Sequence, residues 1–326
     1  IHFDAYATVQ AGPLHGVNPL RAVVSIFRLT IGTLQALNIF RRVKPDAAFL
    51  TGGWVGVPIA LAASVFRVPI VIFVPDIEPG LTLKVLGRFA RVVTATTEDT
   101  KQFFPNRRVI ATGYPLREEV LQATREAGIA RFGLDESLLT LLVFGGSRGA
   151  RSINRALLAC VEELLRQVDF HLQIIHVSGT LDWEEVRAAH DAMPEAVQSR
   201  YHACDYLHDD MGLAMAAADM VVSRAGASTL GEFPYFHLPA ILIPLTFAWR
   251  YQRVNAEWLV SRHAAVLLKD EELAGSLLPI ILELLNNTTR REAMRDAAAT
   301  LAVTDGAENI ARVILEEVNR SNGTAY

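Results

Sequence analysis

The stretch Leu139 to Arg151, LTLLVFGGSRGAR, decides the fold: a continuous apolar run breaks into a glycine-rich turn and then opens into a helix. Such a junction aims unpaired backbone N–H groups and the positive end of a helix at one point, which suits a phosphate. The reading is a nucleotide or phosphorylated ligand; a tight strand-to-helix turn without a ligand is the alternative. The spacing matches neither G-x-G-x-x-G nor G-x-x-x-x-G-K-[ST], so neither of those mechanisms is assumed.

Outward from this junction, short non-alternating apolar runs recur at Ala47–Leu50, Ile70–Phe73, Val92–Ala95, Val109–Ala111, Leu172–Val177, Met220–Val222 and Ala240–Ile243. Each is followed by a turn and helical periodicity. Strands buried on both faces and joined by helices predict an α/β fold with parallel sheets. Gly113, Tyr114 and Pro115 interrupt the pattern, which places a hinge there, with domains at 1–116 and 117–306. Consecutive helices are expected at Glu271–Asn287, Thr289–Leu301 and Ala307–Asn319, the last (about 307–320) packing back on the first domain. Ligands of open α/β sheets sit beyond the C-terminal ends of the strands, so two such domains facing a cleft would hold a substrate between them.

At 326 residues and 51% apolar, the chain exceeds what one core fills, which agrees with two domains. A net charge of −4 argues against general nucleic-acid binding. Cys160 and Cys204 are the two cysteines, read as reduced core thiols of a cytosolic protein rather than a disulfide framework or a zinc site. Leu20 to Phe40 is almost wholly apolar but contains Arg21 and Arg28. A central arginine costs about 2.5–3.5 kcal/mol on insertion scales, which favours a helix packed on a sheet over a membrane span.

Three segments following strands carry the candidate chemistry: Thr51 to Pro58 (TGGWVGVP), Gly145 to Gly149 (GGSRG) and Ser223 to Glu232 (SRAGASTLGE). In the last, small residues allow close backbone approach, Ser228 and Thr229 stand at an expected helix start, and Glu232 lies one turn in. Its carboxylate either accepts from ribose or sugar hydroxyls or stabilises the helix N-terminus. Gln252 and Asn255, three apart on one helical face, either grip sugar hydroxyls through their amides or are solvated.

These segments resemble the MurG-type glycosyltransferases, family 28. The likeness is carried by GGSRGARSINRAL, SRAGASTLGEF with LPAILIPL, and QRVNA in the C-terminal half. TGGWVGVP preceded by KPD, PGLTLK at Pro79–Lys84 and TGYPLR at Thr112–Arg117 carry it in the N-terminal half, in order over nearly the whole chain. The resemblance implies a GT-B architecture of two Rossmann-like domains. The activity it implies is inverting transfer of N-acetylglucosamine from UDP-N-acetylglucosamine to a polyprenyl-diphosphate-linked muramoyl-pentapeptide in peptidoglycan synthesis. Neither a metal nor a cofactor is expected.

By motif match, Ser147 and the backbone around Gly146 contact phosphate, and Glu232 holds the ribose. Ala227, Ser228 and Thr229 line the diphosphate and donor site, and Tyr206 with Leu207 brackets uracil. Gln252 holds the sugar, and Arg117 reaches the donor from the hinge.

The family's GGTGGH loop, with its proposed catalytic histidine, is expected ahead of Ile1, so no catalytic base is assigned. Its HEQN stretch corresponds to Phe73-Val74-Pro75-Asp76, which puts Asp76 at the acceptor side. Trp249 stands where an acid is usual, and Tyr251 replaces a glutamine.

From Val17 to Lys44 there is no acidic residue, whereas Arg21, Arg28, Arg41, Arg42 and Lys44 interleave with apolar side chains. Such a surface seats on anionic lipid, at the cytoplasmic face of a bacterial plasma membrane; a core helix with a solvated basic edge is the plainer reading. Two alternatives to the transferase remain, a UDP-N-acetylglucosamine 2-epimerase and a non-catalytic binding module.

Overall fold

In a computed structural model, residues 4–146, 149–169, 171–245, 251–321 and 323 are described. The chain divides into two compact units, residues 1–114 with 305–326, and residues 115–304.

The first unit is built on four parallel strands in the order β1 (Ala48–Leu50), β2 (Ile70–Val74), β3 (Val92–Ala95), β4 (Arg108–Ala111). Successive side chains of a strand point to opposite faces, and here both faces are covered. Ile70, Ile72 and Val74 pack with Ala60, Ala63 and Leu86, while Val71 and Val92 meet Val313 of the C-terminal helix Gly306–Ser321. That is why β2 reads as an unbroken apolar run. The C-terminal helix is further fixed by Glu317, 1% exposed, whose carboxylate accepts from Arg108 at 2.9 Å, Arg91 at 3.0 Å and Arg320 at 2.6 Å.

The helix Pro19–Val43 starts cleanly, with the Asn18 carboxamide accepting from the N–H of Arg21 and proline at the first helical position. It buries a narrow stripe of Ser25, Gly32, Ala36 and Phe40. Phe40 stacks on Phe66 at 6.1 Å, and a Cβ at Gly32 would stand 1.9 Å from the Gln10 carbonyl, so only glycine permits that approach. This stripe packs mainly on the helix Gly56–Phe66, through Pro58 and Phe66, so a helix stands where a sheet was the expected partner. Leu20, Val23, Val24, Ile26, Phe27 and Leu34 remain exposed.

The second unit holds six parallel strands in the order β10-β9-β8-β5-β6-β7. They are β5 (Leu139–Phe144), β6 (Leu172–Val177), β7 (Tyr201–Cys204), β8 (Met220–Ser223), β9 (Ala240–Leu242) and β10 (Ala265–Leu267). Its core joins Leu141, Val143, Ile174 and Val222 of the sheet to Ile153 and Leu157 of the helix Arg151–Leu158 and to Leu277, Ile281 and Leu284 of the helix Leu273–Asn286. Each such aliphatic side chain contributes about 1.5–3 kcal/mol by leaving water.

Strands β7 and β10 are additions to the eight read from sequence, and they are the two edges of this sheet. Both cysteines are free thiols and half-buried, and burial pushes Cys160 up to about 11 and Cys204 up to about 12.

Candidate functional site

In the second sheet the strand order reverses between β5 and β8, which pair side by side with Phe144 opposite Ser223. A crevice opens where consecutive crossovers leave in opposite directions, so the loops after β5 and β8 flank the switch point of this sheet. The loop after β5 is built from glycine for stated reasons. Gly146 has φ +90°, and its carbonyl accepts from the N–H of Gly149 at 2.9 Å. Gly149 has φ +77°, and a Cβ there would stand 2.2 Å from the Ser178 carbonyl.

The helix Arg151–Leu158 follows directly. Its N-cap, Ala150, offers no capping side chain, so among the described residues no side chain caps the first-turn amides. Uncapped amides and the helix dipole make this end electropositive without a cation. Ser147, the expected phosphate contact, lies outside the described residues.

Behind this helix is a buried polar network that sequence reasoning did not foresee. The Asn154 amide nitrogen donates to the Ser178 carbonyl at 2.8 Å and to Asp182 at 3.0 Å. That orientation turns Asn154 Oδ1 toward His176 Nε2, 3.0 Å away. His176 therefore carries its proton on Nε2, and Nδ1 accepts from the Tyr201 hydroxyl at 2.5 Å. Burial pushes the His176 pKa down to about 3, so the ring stays neutral. Asp182 in turn accepts from Arg151 at 2.7 Å, which ties the network to the helix's first residue. A lone histidine inside the apolar run Leu172–Val177 gives no sign of these partners.

After β8, Ala227 and Ser228 are half-buried. Thr229 is 3% exposed, and its hydroxyl donates to the Gly226 carbonyl at 2.6 Å, so it closes the turn. Glu232 is half-buried, one turn into the helix Thr229–Tyr235. Burial raises its pKa, and the Ser228 hydroxyl and the charge of Arg117 pull it back. Arg117 is exposed at the N-cap of the helix Glu118–Leu121. The structure thus brings Ser228, Glu232 and Arg117 into one electrostatic neighbourhood, although Arg117 lies more than a hundred residues from Glu232.

Gln252 lies in the first turn of the helix Tyr251–Ser261, and its Oε1 accepts from the N–H of Leu245 at 3.0 Å. Asn255 neither grips a sugar nor is solvated. It is fully buried, and its amide donates to the Ala225 carbonyl at 3.2 Å, bracing the loop after β8. Trp249 lies outside the described residues.

Tyr206 and Leu207 follow β7. Leu207 is buried, and Tyr206 stands edge-on to His208 at 4.8 Å. Asp76 follows β2 in the first unit and is half-buried. Two residues on, Glu78 is 5% exposed and pairs with Lys84 at 3.1 Å. Among the described residues, no three His, Cys, Asp or Glu side chains converge as metal ligands do.

The description "Glycosyltransferase family 28 C-terminal domain" matches residues 140–310, and "Glycosyltransferase family 28 N-terminal domain" matches residues 5–95. A Roseiflexus protein named UDP-N-acetylglucosamine--N-acetylmuramyl-(pentapeptide) pyrophosphoryl-undecaprenol N-acetylglucosamine transferase is 40% identical over 94% of this chain and 77% of its own length. A Desulforamulus reducens protein of the same name is 37% identical over 87% of this chain and 77% of its own.

Among solved structures, Acinetobacter baumannii MurG superposes with a TM-score of 0.71 at 24% identity, over 90% of this chain and 79% of that one. A Neisseria meningitidis UDP-GlcNAc 2-epimerase bound to UDP-GlcNAc superposes with a TM-score of 0.65 at 13% identity, over 94% and 84%. At such identities the two structures bear on fold alone.

Proposed function

The chain belongs to glycosyltransferase family 28, in its MurG branch, and from that premise we propose how its own residues serve transfer of N-acetylglucosamine from UDP-N-acetylglucosamine to a polyprenyl-diphosphate-linked muramoyl-peptide. The carrying observation is the uncapped helix start behind the Gly145–Gly146 turn, at the switch point of the six-stranded sheet. In this reaction an acceptor hydroxyl attacks the anomeric carbon, the bond from that carbon to the diphosphate oxygen breaks, UDP leaves with the bonding electrons, and the hydroxyl proton passes to solvent. The amides at the helix start and around Gly146 meet the charge that develops on the diphosphate. Ser147 adds a hydroxyl to them.

Glu232 accepts from the ribose hydroxyls; burial raises its pKa, and the Ser228 hydroxyl and the charge of Arg117 oppose that rise. Ala227 and Ser228 line the diphosphate path, with Thr229 shaping it from within the turn. Gln252 offers its amide nitrogen to the sugar. Tyr206 and Leu207 flank the uracil, and Asp76 serves the acceptor side.

The helix Pro19–Val43 seats the protein on an anionic membrane from the cytoplasmic side. Its inner stripe is committed to the first unit, while its exposed aliphatic side chains and Phe27 stand among Arg21, Arg28, Arg41, Arg42 and Lys44. Apolar insertion and basic attraction to anionic lipid together support such a contact. A lipid-linked acceptor then reaches the protein by diffusion within the bilayer.

One incubation tests the reaction: the purified chain with UDP-N-acetylglucosamine, with and without the lipid acceptor, following UDP release and the identity of the sugar. Release that depends on the acceptor is the expected result. Isomerised sugar, or protection of the donor without turnover, would contradict it. For the membrane contact, flotation with liposomes containing phosphatidylglycerol is expected and falls as salt rises past the point where the Debye length is about 3–8 Å; indifference to lipid charge contradicts it.

A further inference from the structure

Arg224 opens the loop after β8, and the assignments above give it no role. It is 7% exposed. Its Nη1 donates to the Ile243 carbonyl at 3.1 Å and to Asp270 Oδ1 at 2.5 Å, and its Nη2 donates to the Ser152 hydroxyl at 2.7 Å. Ser152 donates onward to the same Asp270 oxygen at 2.7 Å. The triangle closes consistently, since the hydroxyl accepts once and donates once while the carboxylate oxygen takes two donors. Nε of Arg224 is buried with no partner among the described residues. The side chain is thus held for the geometry of its two terminal nitrogens rather than for complete hydrogen bonding.

The segments it joins are the ones that carry the proposed donor contacts. Ser152 lies in the first turn of the helix Arg151–Leu158, whose amides face the diphosphate. Arg224 itself leads into Ala225–Glu232. Ile243 leads to Leu245, whose N–H is bound by Gln252, and Asp270 follows β10. Asp270 also neutralises the arginine at contact distance, so this guanidinium acts through Ser152 and not by presenting its charge to phosphate.

We propose that Arg224, with Asp270 and Ser152, is a positioning latch that sets the first turn of the phosphate-facing helix against the loops after β8 and β9, so that their amides converge on the donor's diphosphate. The inference rests on the diphosphate reading of that helix start.

The test compares calorimetric affinities of the full chain for UDP and for uridine, which lacks the phosphates. Ser152→Ala removes the bridging hydroxyl while leaving the Arg224–Asp270 pair and a good helix former in place. It is expected to weaken UDP about ten-fold, the scale of one hydrogen bond to a charged group, and uridine less than about two-fold. Ser152→Thr restores the hydroxyl and is expected to recover UDP affinity. Equal weakening of both ligands, unchanged UDP affinity, or a fall in unliganded thermal stability without a UDP-specific loss shows an ordinary structural brace and overturns the latch. If the unmodified chain itself binds UDP no better than uridine, the diphosphate reading fails, and the latch falls with it.

Discussion

In the proposed site Glu232 carries two demands at once, because the burial that would put its carboxylate against a ligand also penalises its charge. Its folded pKa is raised, so it stabilises the fold below its unfolded pKa and that contribution is lost as pH rises through the folded value. Glu232→Gln is therefore expected to raise the melting temperature at neutral pH while weakening UDP binding by about ten-fold; unchanged affinity in calorimetry contradicts the ribose assignment. His176 works in the opposite sense. Its folded pKa is pushed down to about 3, so the stability of a neutral ring is present above about pH 6.5 and lost as pH falls toward 3. His176→Gln is expected to lower stability at pH 7.5 but to flatten the loss between about pH 6.5 and 4, read by thermal melts across pH. Glu232 was legible in the sequence because it sits at a fixed offset from a strand-to-helix turn. Asn255 was misread because helical periodicity gives a face and not the partner on that face, here the Ala225 carbonyl.

Among the elements, strands that are covered on both faces announced themselves as apolar runs, and β2 and β5 are the clearest. Strands β7 and β10 did not, because an edge strand has one neighbour and needs no continuous apolar run: Tyr201-His202-Ala203-Cys204 mixes polar with apolar, and Ala265–Leu267 is three residues long. The C-terminal helix is held by an apolar contact at Val313 and by the buried Glu317 carboxylate. Removing that carboxylate leaves three guanidinium groups that are already half in water, so Glu317→Ala is expected to cost about 2–3 kcal/mol, below the usual range for breaking a buried pair. Glu316, half-exposed and 3.5 Å from Arg108, is the control, and Glu316→Ala is expected to cost less than about 1 kcal/mol. Urea denaturation followed by circular dichroism measures both, and equal costs contradict the role given to Glu317.

On the scale of the whole molecule, the two units carry different features. The first unit bears a helix with an apolar outer face and basic residues along it, and the second bears the glycine turn, the small-residue loop and the carboxylate that suit a nucleotide sugar. In the second unit, order along the chain made these features readable, since the glycine turn follows β5 and the small-residue loop follows β8. Long-range contacts such as that of Arg224 with Ser152, and the charge of Arg117 felt at Glu232, arise only when loops after different strands meet, and no local pattern encodes them. In the proposed function, backbone amides at the mouth of the second sheet receive the diphosphate. A crystal structure of the chain with UDP tests that most directly. The diphosphate oxygens are expected within about 2.7–3.2 Å of N–H groups between Gly145 and Ile153. A diphosphate bound elsewhere contradicts it.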